Sequence, residues 1–120
     1  MAKRIMVVDN EDDQRNLMQQ LLTRMGYQVS AAEGSEAALK MISEKKFDLV
    51  LTDLIMSGMD GAELCERIKR LRTGAKVYAF SGYMELYEPE RLDRAGFDGC
   101  IEKPIDVTRL RELIEAAFSA

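Results

Sequence analysis

The strongest constraint on the fold is a regular alternation of short apolar runs with segments of helical periodicity. Continuous apolar runs this short are typical of strands covered on both faces, as in a parallel sheet. Because a helical segment follows each run and the connections are short, the sequence predicts a right-handed, doubly wound α/β fold with helices on both faces of the sheet. The runs span Ile5 to Val8, Val29 to Ala32, Leu49 to Leu51, Val77 to Phe80, and a weaker fifth run around Cys100 and Ile101.

The segments between the runs are amphipathic and have recognisable ends. Gly26 ends the first helix, Ser35 begins the second, and Asp60 with Glu63 forms a D-x-x-E variant of the capping box before the third. The fourth extends from near Pro89 to Gly96, and Asp106 caps the fifth. Each predicted helix has an apolar face that we expect to be buried. From the first helix to the fifth, these faces are Leu17, Leu21, Leu22 and Met25; Ala38, Leu39 and Ile42; Leu64, Ile68 and Leu71; Leu92 and Ala95; and Leu110, Leu113, Ile114 and Ala117.

Length and charge restrict the function classes. A chain of 120 residues accommodates one domain, so we expect a single domain over residues 1–120. The net charge of −4 argues against direct nucleic-acid binding, because phosphate contacts need a basic face. The N-terminal apolar stretch is too short for a signal peptide, and the sequence contains no 18-residue apolar run. We therefore expect a cytoplasmic protein with no membrane association.

The chain contains no histidine, which excludes Ser-His-Asp and Cys-His catalysis, histidine metal sites and a phosphohistidine carrier role. Cys65 and Cys100 lack the spacing of a metal site. We expect both to be small buried residues in a reducing compartment.

Polar residues with complementary chemistry follow the apolar runs. The first run ends at Asp9, the third at Thr52 and Asp53, and the fourth at Ser81, while the fifth continues into Glu102 and Lys103. In an open parallel sheet, ligands bind beyond the carboxyl ends of the strands. The sequence therefore predicts two carboxylates, a hydroxyl and an ammonium at one edge of the sheet.

This combination indicates phosphoryl chemistry. Two carboxylates roughly 5 Å apart repel by about 3 kcal/mol at an effective dielectric constant near 20, and a divalent cation relieves that repulsion. Mg²⁺ prefers a few carboxylates together with waters and phosphate oxygens. Lys103 supplies a positive charge and Ser81 a hydrogen bond for phosphoryl oxygens, which leaves one carboxylate as a nucleophile that forms an acyl phosphate.

Five sequence motifs follow one another along the chain: Val7-Val8-Asp9-Asn10-Glu11, Leu51-Thr52-Asp53-Leu54-Ile55-Met56, Met59-Asp60-Gly61, Phe80-Ser81-Gly82 and Glu102-Lys103-Pro104. Their order and spacing resemble the signature set of response-regulator receiver domains, over about residues 4 to 118. The resemblance implies the flavodoxin-like strand order 2-1-3-4-5.

The resemblance also implies a role for each site residue. Asp53 is the expected phosphoacceptor, and Asp9 belongs to the acidic pair that binds Mg²⁺. The backbone carbonyl of Ile55 completes the metal site. Lys103 binds the phosphoryl group, and its peptide bond to the following proline is expected to be cis. Ser81 is the switch hydroxyl that turns towards the phosphoryl group.

The resemblance further implies that the chain acts as a signalling domain and not as a classical enzyme. The expected donor is a phosphohistidine on a sensor histidine kinase or a histidine phosphotransfer protein. The domain assists its own phosphorylation and dephosphorylation, and the reaction changes its interaction surface for a downstream protein target or output domain. A phosphorylation-dependent dimer through the fourth helix, fifth strand and fifth helix is a further expectation.

The sequence departs from the family pattern at several positions. Asn10 replaces the second acidic residue, so Mg²⁺ is expected to bind more weakly unless Glu11 or Asp12 compensates. Cys100 replaces the aromatic switch residue, a role open to Tyr83 or Tyr78, and Ser57 replaces a proline. Ile55 and Tyr83 flank the expected position of the hydrolytic water, so we expect slow loss of the phosphoryl group.

Three other functions remain open at this stage. One is a degenerate receiver that binds a partner without being phosphorylated. Another is a haloacid-dehalogenase-type phosphatase with Asp9 as nucleophile and Glu11 as acid. The third is a flavodoxin-like FMN binder, although the acidic residues that follow the first run would repel a phosphate.

Overall fold

A computed structural model describes residues 2–71, 73–104 and 106–119. Within these ranges, five strands alternate with five helices, and a short 3₁₀ turn, Met84–Leu86, precedes the fourth helix. The strands are β1 (Arg4–Val8), β2 (Gln28–Ala32), β3 (Leu49–Thr52), β4 (Lys76–Ser81) and β5 (Gly99–Glu102). The helices are α1 (Asp12–Arg24), α2 (Ser35–Glu44), α3 (Gly61–Arg70), α4 (Pro89–Ala95) and α5 (Val107–Ser119).

All strand pairs are parallel, in the order β2-β1-β3-β4-β5. The doubly wound α/β fold and the strand order implied by the family resemblance are therefore confirmed. The central strands β1 and β3 are buried along almost their whole length, which explains their continuous apolar sequences.

Two apolar layers cover the sheet. On one face α2, α3 and α4 contribute Ala38, Leu64 and Ala95 to a core that includes Val50 of the sheet. On the other face α1 and α5 contribute residues such as Leu22 and Leu110. None of the helices in the described part of the chain has the length and apolarity needed to span a bilayer.

The predicted helix ends agree with the structure. Gly26 and Gly96 have φ angles of 99° and 93°, the left-handed backbone that glycine adopts without strain after a helix. Asp60 caps α3 by accepting a hydrogen bond of 2.9 Å from the Glu63 amide. The Asp106 carboxylate accepts one of 2.7 Å from the Arg109 amide at the start of α5.

Three residues predicted to be buried are exposed. Leu71 directly follows the last residue of α3, and its side chain lies in solvent beyond the apolar core under that helix. Cys100 lies on β5, an edge strand with one neighbour, and its side chain is exposed, unlike that of Cys65. Leu17 of α1 is 58% exposed because it lies at the rim of a cavity near the carboxyl edge of the sheet.

Candidate functional site

The parallel register of β1 and β3 brings Asp9 and Asp53 to the same edge of the sheet. Val8 pairs with Thr52, so the two aspartates are the next residues on neighbouring strands. The Asp53 amide donates a hydrogen bond of 3.0 Å to the Val8 carbonyl, which extends the ladder past the last strand residues. The predicted convergence of two carboxylates at one edge is therefore present in the structure.

Lys103 connects the two carboxylates. Its Nζ atom lies 3.4 Å from Asp9 Oδ2 and 3.5 Å from Asp53 Oδ2. The cis peptide bond between Lys103 and Pro104, expected from the family resemblance, is present directly after β5. One ammonium group thus faces both carboxylates in a mostly buried setting, where ionic interactions are screened less than on an open surface.

Backbone amides hold the other oxygen of each carboxylate. Asp9 Oδ1 accepts a hydrogen bond of 2.9 Å from the Glu11 amide, and Asp53 Oδ1 accepts one of 2.7 Å from the Leu54 amide. Because these bonds fix the rotation of both groups, the Oδ2 atoms converge on Lys103. The site thus holds oriented anionic oxygens next to a cation before any ligand binds.

Ser81 lies at the same edge but contacts neither carboxylate among the described hydrogen bonds. Its buried hydroxyl accepts a hydrogen bond of 3.1 Å from the Tyr83 amide. The Lys103 amide donates one of 2.9 Å to the Ser81 carbonyl, so β4 and β5 hold the hydroxyl and the ammonium side by side. The exposed side chain of Glu102 takes no part in this cluster.

The donor chemistry suits a hard oxygen-binding cation such as Mg²⁺. The carboxylates of Asp9 and Asp53 lie together at this edge, the exposed Asn10 follows Asp9 directly, and Ile55, whose backbone carbonyl is the further ligand expected from the family resemblance, follows Asp53 by two residues. Across the described ranges, no three acidic, thiol or imidazole side chains group closely enough to hold a metal alone. These residues fit Mg²⁺, which keeps several waters and needs only one or two carboxylates. Compensation by Asp12 is disfavoured, because its carboxylate pairs with Arg15.

Sequence reasoning missed Gln14 as a member of the cluster. Lys103 Nζ donates a hydrogen bond of 2.6 Å to Gln14 Oε1, the shortest contact that the ammonium makes. Gln14 precedes Leu17 by three residues and Leu21 by seven, so it shares their helical face. That periodicity could have indicated that Gln14 faces the end of the sheet.

Sequence reasoning also missed Tyr87, which lies between the 3₁₀ turn and α4. Its hydroxyl donates a hydrogen bond of 2.9 Å to Asp60 Oδ2 and lies 3.3 Å from the Leu54 carbonyl oxygen. Burial, followed by the hydrogen bond to Asp60, raises the pKa of Tyr87 to about 12. The sequence had indicated only a capping role for Asp60.

The loop between Asp53 and α3 is closely packed. The Gly61 amide donates a hydrogen bond of 2.8 Å to the Leu54 carbonyl. A side chain at Gly61 would collide with the Asp53 carbonyl oxygen, so only glycine fits this approach. The close packing of the start of α3 against the Asp53 backbone thus explains the glycine of the Met59-Asp60-Gly61 motif.

Two bulky side chains follow site residues by two positions in the sequence, Ile55 after Asp53 and Tyr83 after Ser81. Ile55 is 42% exposed and Tyr83 is 55% exposed. The other candidate for the missing aromatic switch, Tyr78, instead packs partly buried with the core on the α1 and α5 side. Of the two tyrosines, Tyr83 is the one with an exposed side chain, and its backbone amide contacts the buried Ser81 hydroxyl.

Comparison with known sequences places the chain in a large family. The family model described as the response regulator receiver domain matches residues 5–115. The virulence sensor protein BvgS of Bordetella bronchiseptica is 38% identical over 125 residues, covering 98% of this chain and 10% of BvgS. The transcriptional regulatory protein ZraR of Salmonella typhimurium is 33% identical over 115 residues, covering 96% of this chain and 26% of ZraR. The chain therefore spans only about a tenth to a quarter of these relatives.

Solved structures show the same relationship. The response regulator TrrA of Thermotoga maritima, in complex with Mg²⁺-BeF, has a TM-score of 0.88 and 30% identity, over 97% of this chain and 99% of that one. A CheY-like receiver domain from Methanospirillum hungatei also has a TM-score of 0.88, with 32% identity over 97% of this chain and 93% of that one. Together with the match over residues 5–115, these relatives show that the chain belongs to the family of response regulator receiver domains.

Proposed function

We propose that this chain is a phosphorylation-dependent signalling switch in which Asp53 accepts a phosphoryl group from a partner phosphohistidine. The observation that carries the proposal is the convergence of the Asp9 and Asp53 carboxylates on one Lys103 ammonium. Residues 1–120 act in this proposal as one receiver domain, supported by the family match over residues 5–115.

The transfer uses groups that are already positioned. An Asp53 carboxylate oxygen bonds to phosphorus while the bond from phosphorus to the histidine nitrogen breaks, and the imidazole leaves with the electron pair. Lys103 moves from the carboxylates to a phosphoryl oxygen and neutralises part of its charge. Ser81 turns its hydroxyl from the Tyr83 amide towards another phosphoryl oxygen.

Asp9, Asp53, the Asn10 side chain and the Ile55 carbonyl are the proposed ligands of Mg²⁺. Bound there, Mg²⁺ supplies charge neutralisation for phosphoryl transfer. The fit of these oxygen donors supports the assignment, and the relative TrrA is described in complex with Mg²⁺-BeF.

The proposed partners are a sensor histidine kinase or histidine phosphotransfer protein upstream and a protein target or output domain downstream. The relatives support both contexts, because BvgS is a sensor protein and ZraR is a transcriptional regulatory protein. The proposed location is the cytoplasm, where ATP supplies phosphoryl groups to such kinases. The receiver assists its own phosphorylation and dephosphorylation and is not a classical enzyme.

Intact mass spectrometry after incubation with phosphoramidate and Mg²⁺ tests the proposal. We expect the wild-type chain to gain one phosphoryl group and Asp53→Asn to gain none. Asp13→Asn is the matched control, since Asp13 is exposed in the first turn of α1, and it should react like the wild type.

The alternatives give different outcomes in the same experiment. Labelling that persists in Asp53→Asn and disappears in Asp9→Asn would favour the phosphatase-type nucleophile. A wild-type chain that never gains mass would favour the receiver that acts by binding alone. Bound flavin would be visible as a yellow colour in the purified protein.

A further inference from the structure

A cavity of about 300 Å³ lies beside the Asp9, Asp53 and Lys103 cluster, between α1 and α5. The buried side chains of Leu51, Phe80 and Leu110 belong to its lining. The size is at the lower end of small-molecule sites, and a cavity of roughly 150 Å³ suffices for a benzene ring.

The cavity is divided by polarity. Its charged end contains Asp9, Asp53 and Lys103, and the rest of its lining is mainly apolar: Leu17, Met18, Leu21, Phe80, Val107 and Leu110. Lys103 Nζ lies 5.1 Å from the centre of the Phe80 ring, at the boundary between the two regions. Because two carboxylates face one ammonium, a phosphoryl group at this end needs a divalent cation beside it, and the apolar region suits an apolar group on the same molecule.

Two apolar residues of the cavity are left open to solvent. Leu17 is 58% exposed and Val107 is 45% exposed. Because the exposed apolar surface adjoins the site of phosphoryl transfer, an apolar group attached to the phosphoryl donor would cover it during the reaction and gain free energy from burial.

We propose that this cavity receives the apolar leaving group of a low-molecular-weight acyl phosphate, which makes the chain react preferentially with aromatic acyl phosphates. The inference rests on the proposed phosphoacceptor function of Asp53. An Asp53 oxygen bonds to phosphorus, the bond from phosphorus to the acyl oxygen breaks, and the aromatic carboxylate leaves with the electron pair. The reaction needs no oxidant, reductant or added proton.

The test compares benzoyl phosphate with acetyl phosphate, both with Mg²⁺, by the rate at which phosphorylated protein appears in intact mass spectra. The quantity of interest is the ratio of the two rates, compared between protein variants, because the intrinsic reactivity of each donor then cancels. The altered proteins are Leu17→Gln and the double variant Leu17→Gln/Val107→Thr. Leu71→Gln is the matched control, since Leu71 is similarly exposed at the end of α3 on the opposite face of the sheet.

We expect the benzoyl-to-acetyl ratio to fall by on the order of tenfold in the double variant, as for the loss of apolar contacts to part of a substrate. Leu17→Gln should give an intermediate ratio, and Leu71→Gln should keep the wild-type rates with both donors.

Equal ratios in the wild-type chain and the double variant would overturn the cavity inference while leaving Asp53 as the phosphoacceptor. Failure of both donors to label the wild-type chain would overturn the proposed function and this inference together. A ratio that falls equally in Leu71→Gln would also contradict the inference, because that residue lies outside the cavity.

Discussion

The Tyr87 hydroxyl donates a hydrogen bond of 2.9 Å to the Asp60 carboxylate, the same group that caps α3. It also contacts the Leu54 carbonyl directly after Asp53. The chain segment that leads into α4 is therefore attached to the loop that carries the proposed phosphoacceptor. This link between α4 and the site does not involve Cys100, which occupies the usual position of the aromatic switch.

Replacing Tyr87 by phenylalanine should lower the free energy of unfolding by about 1–2 kcal/mol. The substitution removes a partly buried donor and leaves the charged Asp60 Oδ2 atom without that partner. Urea unfolding followed by circular dichroism measures the difference. Tyr83→Phe makes the same chemical change on an exposed side chain and should be nearly neutral; equal losses in both variants would contradict the role of Tyr87.

The environment of the Tyr87 hydroxyl also predicts how the free energy of unfolding depends on pH. Burial raises the pKa of Tyr87 from 10.0 to about 12, so above pH 10 the unfolded chain releases this proton before the folded chain does. The stability contributed by Tyr87 is present in full below pH 10 and decreases as the pH rises through about 12. The stability difference between the wild type and Tyr87→Phe should narrow across this window. A difference that stays constant or grows would contradict the assignment.

Asn10→Asp should bind Mg²⁺ on the order of tenfold more tightly than the natural sequence. An aspartate restores the charge that the amide lacks, and the affinity of oxygen sites rises with the number of charged ligands. Isothermal titration of Mg²⁺ measures the change. Asn16→Asp adds the same charge on an exposed position of α1 and serves as the control. Equal or weaker binding by Asn10→Asp would argue against a metal site at this edge.

Gln14→Glu should slow phosphorylation of Asp53 on the order of tenfold. A carboxylate in place of the amide that accepts the 2.6 Å hydrogen bond would pair with Lys103 and compete with the phosphoryl group for its charge. The rate with phosphoramidate and Mg²⁺ gives the effect. Gln20→Glu changes the net charge equally on an exposed part of the same helix. The prediction fails when the two variants react at the same rate.

The crowding hypothesis predicts that Tyr83→Ala speeds the loss of the phosphoryl group from Asp53, on the order of threefold, since removal of the exposed ring would open the approach of water to the site. Decay of the phosphorylated protein after removal of the donor is followed by intact mass. Leu71→Ala removes an equally exposed side chain far from the site and should leave the decay unchanged. Slower or unchanged decay in Tyr83→Ala would count against the crowding hypothesis.

Much of the fold could be predicted because it depends on local patterns. Apolar runs located the strands, and residues such as Gly26, Asp60 and Pro89 marked helix ends whose backbone conformation they favour. Burial was predicted less well. The apolar character of Leu17 alone does not reveal that α1 passes over a cavity. Cys100 belongs to β5, and the side chains of an edge strand are covered incompletely by the rest of the protein.

The candidate site could be predicted where residues directly follow strands. Asp9 and Asp53 meet Lys103 because parallel strands deliver their carboxyl ends to one edge. Gln14 and Tyr87 escaped prediction because their contacts depend on the rotation of α1 and on the path of an irregular connection. The periodicity of α1 indicates the helix face on which Gln14 lies but not that its side chain reaches Lys103, and it gives no information about Tyr87.

The most direct test of the central claim is to locate the phosphoryl group. Borohydride reduction of the phosphorylated chain converts an aspartyl phosphate to homoserine, and peptide mass spectrometry then identifies the altered residue. We expect homoserine at Asp53 alone, and only when Mg²⁺ is present during phosphorylation. Modification at Asp9, or at Asp53 to the same extent without Mg²⁺, would contradict it.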